Sequence, residues 1–298
     1  MAPPIGTILR QMFPSEPTWS TNHIPDLSSK VVLVTGGNTV YLGARSQSKA
    51  EQAIHDLQQE TGKTAIFLQM DLADFDSVKR AAEDFKSRET ELHILFLNAG
   101  VLGTPIEQVT AQGYDMQFGN NVLGHFLLLK LLYPVLAAST VPSSPSRIIW
   151  LASASQYFFQ APMKYDTFKD GPARIKLGIH QHYCQSKFAN VLLSFHLART
   201  CHQDNIVSIL VDPGNIKSDL NRHTTSFLFK ILQWILLFPA KYGPLTQLYA
   251  GTSPEAMEYN GKYLRPWARL GEPNSATKDV EEQEKLWAYC EEQVTPWL

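Results

Sequence analysis

Cysteine is scarce in this chain: Cys184, Cys201 and Cys290 are the only three in 298 residues, with neither paired spacing nor a nearby histidine pattern. That excludes a disulfide framework and a cysteine-based zinc site, and suits a reduced, intracellular setting. Charge of one sign is also lacking. Charged residues make up 18% of the chain and the formal net charge is -2, so there is no electrostatic footprint for nucleic acid. A signal peptide is not expected, because residues 1–13 carry Pro3 and Pro4 and no long apolar core. No internal repeat, low-complexity tract or linker divides the sequence. His180 and His182 flank Gln181 without an evident third ligand, so a loop or cap role is preferred and no metal is expected. Apolar residues are plentiful. At 44% of this length they can bury a large core, as one α/β domain does.

The chain is organised around Val31-Val32-Leu33-Val34-Thr35-Gly36-Gly37-Asn38-Thr39, followed directly by Val40-Tyr41-Leu42-Gly43-Ala44-Arg45. The first half reads as a buried parallel strand entering a glycine turn, the usual opening of a dinucleotide-binding domain. Two further glycines should follow, then a helix whose N-terminus receives the pyrophosphate. They are absent. Residues 40–44 read instead as the next strand, with Arg45 where the cofactor's ribose edge would be read. Adjacent parallel strands need a crossover of about a dozen residues, so the two runs should not both keep their usual places. One is expected to leave the sheet, shift register or be replaced, disturbing the first βαβ unit.

Residues 1–29 read as an irregular N-terminal arm on a single domain spanning 30–298, with Ile5, Ile8, Leu9, Met12 and Phe13 as an apolar contact face. Membrane anchoring by so short a stretch is the weaker alternative. Ser46 suits a helix N-cap, and Ala50, Ala53, Ile54 and Leu57 recur at helical spacing until Gly62 ends the run. Further strands are expected at 64–69, 92–97, 147–151 and 206–211, and helices around 78–85, at 114–138 and from about 182. This alternation predicts a Rossmann-like, doubly wound parallel sheet of the α/β class. Thr35, Asp71, Asn98, Ser153 and Pro213-Gly214 would then gather at the C-terminal ends of the strands, where open α/β sheets bind ligands.

Tyr183 and Lys187 are four residues apart, hence on one face of a helix. A phenol has an unperturbed pKa of about 10. A neighbouring ammonium is expected to lower it, making Tyr183 a usable proton donor or acceptor. From residue 30 onward the chain resembles the short-chain dehydrogenase/reductase family, in its fungal and retinol-dehydrogenase-like branch. The resemblance rests on Thr35-Gly36-Gly37-Asn38-Thr39, Asp71-Leu72, Asn98-Ala99-Gly100, Asn121 in Asn-Val-Leu-Gly-His-Phe, Ser153, Tyr183-x-x-x-Lys187 and Pro213-Gly214. The family pattern carries a Gly-Ile-Gly turn and a full helix where this chain passes from Thr39 to Val40.

The resemblance implies an NAD(P)-dependent dehydrogenase or reductase. Thr35, Gly36, Gly37, Asn38, Arg45, Asp71, Leu72, Asn98, Ala99, Gly100, Pro213 and Gly214 would border the cofactor, together with Tyr183 and Lys187. It gives Lys187 the nicotinamide ribose hydroxyls, Ser153 the substrate oxygen, Asn121 a proton-relay water and Asp71 the adenine. Ser155 is a neighbouring candidate for the role of Ser153, and Asp71 reads alternatively as a turn or cap aspartate. Arg45 suits a 2′-phosphate, because guanidinium matches phosphate geometry, so NADP(H) is expected in preference to NAD(H). A solvated arginine at a strand end is the alternative.

Residues 226–240 are almost wholly apolar, leaving Ser226, Lys230 and Gln233 as a polar stripe. The run is shorter than the roughly 20 residues of a spanning helix. A lid over a lipophilic pocket is the preferred reading, with peripheral membrane contact and a homo-oligomer interface as alternatives. Tyr157, Phe158, Phe159, Met163, Tyr165 and Phe168 either line the substrate pocket or pack under that lid, and both readings favour a bulky apolar substrate over a sugar. The leading expectation is hydride transfer between NADP(H) and a lipophilic alcohol or carbonyl compound, with Tyr183 as general acid/base. It would act in the cytoplasm or at the surface of an intracellular membrane. The rivals, both suggested by the short junction, are a catalytically silent binding protein of the same fold and a truncated gene product.

Overall fold

The computed structural model describes residues 5–35, 41–217 and 237–298. Strands β1 (Val32–Thr35), β2 (Tyr41–Ala44), β3 (Ile66–Gln69), β4 (Ile94–Leu97), β5 (Ser146–Leu151), β6 (Ile206–Val211), β7 (Tyr263–Arg265) and β8 (Arg269–Gly271) make one sheet. Their order is β3-β2-β1-β4-β5-β6-β7-β8, with every pairing parallel except the edge pair β7 and β8. This is the doubly wound α/β sheet the alternation predicts. The last two strands are missing from the sequence reading because three residues are too few to show a period.

One expectation is overturned. β1 and β2 do lie side by side in parallel register, with Leu33 opposite Tyr41 and Thr35 opposite Gly43. The reason is that both strands are short. To begin β2 level with Leu33, the chain must return about two residues along the sheet and step across one strand, a net distance of about 8 Å. Thr35 and Tyr41 are six residues apart, and that length of extended chain reaches about 20 Å. A dozen-residue crossover is what a packed helix requires, not what chain reach requires.

The helices are α1 (Ile5–Met12), α2 (Gln47–Thr61), α3 (Phe75–Arg88), α4 (Met116–Ala138), α5 (Pro172–Leu177), α6 (Ile179–Thr200), α7 (Leu245–Thr252) and α8 (Val280–Val294). Ser46 caps α2 by accepting from the amide of Lys49 at 3.4 Å, and Gly62 ends it in the left-handed region at φ 70°. α4 is one continuous apolar helix, long enough to cross a membrane by length and composition, but two-thirds buried in the core. The strands bury both faces with period two. Leu95 and Leu97 of β4 face the larger core beside Phe126, Leu128 and Phe188, while Ile94 and Phe96 face a smaller one beside Tyr249 and Ala250 of α7. Gly251 makes that second contact possible, since a Cβ there would stand 2.3 Å from the Phe96 ring.

Two further readings are corrected. The arm is not wholly irregular: it contains α1, whose buried residue is Gln11, while Leu9 and Phe13 are exposed. The apolar pattern there marks a helix face without saying which face is covered. In the aromatic segment, Phe159, Met163 and Phe168 belong to the main core, where Phe168 stacks on Phe118 with ring centroids 3.7 Å apart. Phe158 alone of the set is exposed.

Candidate active site

The strand order reverses between β1 and β4, so a crevice opens at the C-terminal ends of these strands. Thr35 ends β1 there and is fully buried. Its hydroxyl accepts from the amides of Asn98 and Ala99, both at 2.8 Å, and lies 2.9 Å from Nε2 of His125. Nδ1 of His125 lies 3.1 Å from the carbonyl of Asn121, which can only accept. With the ring neutral, Nδ1 then carries the proton and Nε2 is an acceptor, competing with the Phe96 carbonyl at 3.3 Å for the one proton of the Thr35 hydroxyl. Burial holds His125 neutral, pushing its pKa down to about 4. The Asn98 side chain adds a bond to the Thr35 carbonyl at 2.9 Å. The end of β1, the loop after β4 and α4 are thereby locked together.

Asn121 lies in a π turn, Gly119–Leu123, inside α4. Such turns insert one residue and re-aim the side chains around it. Gly119 opens the turn and Gly124 follows it, and a Cβ on Gly124 would stand 2.3 Å from the carbonyl of Leu72, so helix and strand loop meet backbone to backbone. The Asn121 side chain accepts from Val101 N at 2.8 Å, and donates to Val101 O at 3.0 Å and Ser186 Oγ at 3.1 Å. It therefore joins the loop after β4 to α6, the helix that carries Tyr183 and Lys187.

Tyr183 and Lys187 are both buried. Lys187 Nζ donates to the carbonyl of Leu151, the last residue of β5, at 3.1 Å, and Asn190 donates to the same oxygen at 3.0 Å. The ammonium lies 5.7 Å from the centre of the Tyr183 ring. Burial lowers the Lys187 pKa to about 8, opposed by the charge of Asp212. The Tyr183 phenol is pushed up, chiefly by burial, with hydrogen bonding to Ser153 acting the other way and Asp212 adding to the rise. The expectation that Lys187 lowers the phenol pKa is thus not met. Desolvation of the phenolate dominates, and Lys187 is not among the groups that move that pKa. Ser153 itself accepts from the amide of Ser155 at 3.2 Å, opening the 3-10 turn Ala154–Phe158.

At the far end of the crevice Arg45 and Asp71 face one another at 3.9 Å, Arg45 well exposed. The second oxygen of Asp71 closes a turn onto Ala73 N at 3.0 Å, so its turn role is real; the cap of α3 is Asp74. Leu72 is buried in the main core. Gly214, at φ 81°, donates its amide to Asp212 at 2.7 Å. Pro213 and Gly214 are half-buried beyond the end of β6. Gly36, Gly37, Asn38 and the Thr39-Val40 junction lie outside the described residues, as do residues 226–236 of the apolar run. His182 is packed at the base of α6, with Nε2 2.8 Å from the carbonyl of Arg174 and Nδ1 3.6 Å from Asp115.

Three residues at this edge were not foreseen as site residues. His125 was visible four positions after Asn121, but only packing shows that it reaches Thr35. Asp212 precedes Pro213, and nothing in the sequence says that its carboxylate is buried near Lys187. Gln11 is far away in the chain. The described groups suit a nicotinamide dinucleotide at its two ends, with an exposed guanidinium at Arg45 and a buried ammonium at Lys187. Gly100 brings the backbone of the loop after β4 beside this ammonium: a Cβ there would be in ordinary contact with Asn121 Oδ1 at 3.4 Å and Lys187 Nζ at 3.7 Å.

A family profile described as short chain dehydrogenase matches residues 30–166. A short-chain dehydrogenase/reductase of Armillaria gallica is 47% identical over 305 residues, covering 97% of this chain and 98% of that protein. An uncharacterised oxidoreductase of Schizosaccharomyces pombe is 36% identical, covering 89% of this chain and 85% of its own length. Among solved structures, an uncharacterised protein from Mycobacterium paratuberculosis shares the fold with a TM-score of 0.68 at 21% identity, covering 93% of this chain and 97% of that one. The Pseudomonas aeruginosa RhlG/NADP complex does so at 0.58 and 20% identity, covering 76% and 84%.

Proposed function

Because this chain belongs to the short-chain dehydrogenase/reductase family, and so to the NAD(P)-dependent oxidoreductases, we propose that it reduces a lipophilic carbonyl compound with NADPH, using Tyr183 as the acid. The observation that carries the reading is the convergence of Ser153, Tyr183 and Lys187, from the end of β5 and one face of α6, at the switch-point edge of the sheet. The reduced nicotinamide supplies the hydride. The protein's part is to place and protonate the oxygen.

Ser153 donates to the substrate oxygen, orienting the carbonyl toward Tyr183. Tyr183, protonated at neutral pH, would deliver its proton to the alkoxide oxygen formed on reduction; burial by itself raises its pKa and works against that transfer. Lys187 is held by Leu151 O rather than by a carboxylate contact, leaving N–H bonds for the ribose hydroxyls and a positive charge to stabilise the phenolate left behind. Asn121 fixes the loop after β4 and, by this reading, the relay water that returns the proton. Arg45 beside Asp71 supports NADPH over NADH, because a 2′-phosphate would meet an exposed guanidinium. The lipophilic substrate rests on the sequence, on the apolar run 226–240 and the aromatic residues between Tyr157 and Phe168; the cleft of about 500 Å³ beside exposed Phe158 is lined mainly by polar residues such as Lys164, Asp166 and Gln181 and does not bear on it. Consumption of NADPH in the presence of medium-chain and aromatic ketones, lost in Tyr183→Phe, tests the proposal; equal rates in both proteins would overturn it.

A further inference from the structure

The family match begins at residue 30, yet the arm before it sends one side chain into the catalytic edge. Of the described side chains in α1, Gln11 alone is buried, at 2% exposure, while Leu9 and Arg10 on either side of that turn are exposed. A short helix held by the hydrophobic effect would bury its leucine and leave its amide in water. Here the order is reversed, so polar partners specify the contact. The Gln11 amide donates to Asp212 and to the Tyr263 hydroxyl, and its carbonyl lies 3.1 Å from the Tyr157 hydroxyl, whose one proton it shares with the carbonyl of Glu272. Tyr157 belongs to the turn that Ser153 opens, and Asp212 directly follows β6, beside Pro213.

Asp212 depends on this contact. Its carboxylate is 2% exposed, with one oxygen taken by Gly214 N at 2.7 Å and the other by Gln11 and by Tyr263 at 3.3 Å. It attracts Lys187. A buried carboxylate that loses a donor bears the desolvation cost alone. The rest of the arm follows α1 over the same end of the sheet, where Arg269 holds Ser15 O at 3.2 Å and Glu16 O at 2.7 Å, and Trp19 packs edge-on to Tyr249.

We propose that Gln11 is a positioning residue of the catalytic cleft: by binding Asp212 and Tyr263 it latches α1 in place as a wall beside Tyr157 and holds the buried Asp212 carboxylate just beyond the end of β6. The consequence for catalysis rests on the Tyr183–Lys187 reading above, but the latch does not. It is therefore tested without turnover. In the full chain the bond after Arg10 is a trypsin site that the buried Gln11 protects, and loss of residues 1–10 is followed by mass spectrometry.

Gln11→Met keeps the volume and removes the donors, and Gln11→Glu sets a second carboxylate against the first. Both should be cut at least about tenfold faster than the parent, which corresponds to about 1.4 kcal/mol of lost protection. In Gln11→Glu combined with Asp212→Asn the charge is exchanged, with an amide again facing a carboxylate, and protection should return. A merely structural role for the helix would not produce that rescue. Leu9→Ala, on the exposed face, should leave the rate unchanged. Parental cleavage of Gln11→Met, or a double variant cut as fast as Gln11→Glu, would overturn the latch. Melting temperatures identify any variant that fails to fold, and Gln11→Met then decides. Loss of the latch with carbonyl reduction intact, or the reverse, separates this proposal from the proposed function.

Discussion

Lys187 Nζ donates to the backbone carbonyl of Leu151 at 3.1 Å, with no carboxylate among its hydrogen-bond partners in the described residues. The lysine is therefore fixed by the end of a strand, in register with the Ser153 that follows it, rather than by an ion pair that could turn away. Position and charge are set by separate parts of the protein, β5 for the first and the surroundings of Asp212 for the second.

Tyr183→Phe removes the transferable proton and almost no volume. Turnover should fall by about 10²- to 10⁴-fold, the range for a lost general acid, while the melting temperature stays near that of the parent. Lys187→Ala should depress both turnover and cofactor affinity, because two roles are assigned to one ammonium. Steady-state kinetics and NADPH titration separate the two variants. Unchanged turnover in the phenylalanine variant would remove Tyr183 from the mechanism.

Arg45→Asp should weaken NADPH binding and leave NADH binding nearly as it was. The guanidinium is mostly exposed and only loosely paired with Asp71, at 3.9 Å, so replacing it disturbs little else. Binding titrations with both cofactors check this. Equal losses would mean that Arg45 and Asp71 hold the strand ends rather than read the phosphate.

His125 makes stability depend on pH. Its pKa is lowered by burial to about 4, below an ordinary value of 6.5. Above pH 6.5 neither state binds the proton; as pH falls from 6.5 to 4 the unfolded chain takes it up and the folded chain does not. Stability is lost across that window, by roughly 3 kcal/mol if the whole shift is realised. In His125→Gln the absolute melting temperature should drop, but its fall between pH 7 and pH 4.5 should be shallower than in the parent. Parallel melting curves for the two proteins would show that His125 is not the group responsible.

The short passage from Thr39 to Val40 should limit cofactor affinity more than stability. The sheet pairs β1 with β2 without a full crossover, so no strand is displaced. What the sequence lacks is the additional glycines and the helix N-terminus that donate N–H groups to a pyrophosphate. Inserting a Gly-Ile-Gly turn and an amphipathic helix between Thr39 and Val40 should tighten NADPH binding by at least about tenfold, or about 1.4 kcal/mol. Tight binding by the unaltered chain, with no gain on insertion, would show that the phosphates are held by other residues.

Much of the protein was legible in its order of residues. The buried run at β4, the Ser46 and Gly62 signals around α2 and the four-residue spacing of Tyr183 and Lys187 are local, and local geometry decides them. Strands ending in Thr35, Asn98 and Ser153 gave the catalytic edge, because parallel strands point their C-terminal ends one way. Other facts depend on contacts between distant segments. That β1 and β2 pair despite the short connection follows from strand length and register, which only the assembled sheet fixes. That the Tyr183 phenol pKa is pushed up rather than down follows from burial, which the spacing to Lys187 does not record. That Gln11 meets Asp212 across 201 residues of sequence follows from how the arm crosses the sheet, a consequence of packing that no periodicity records.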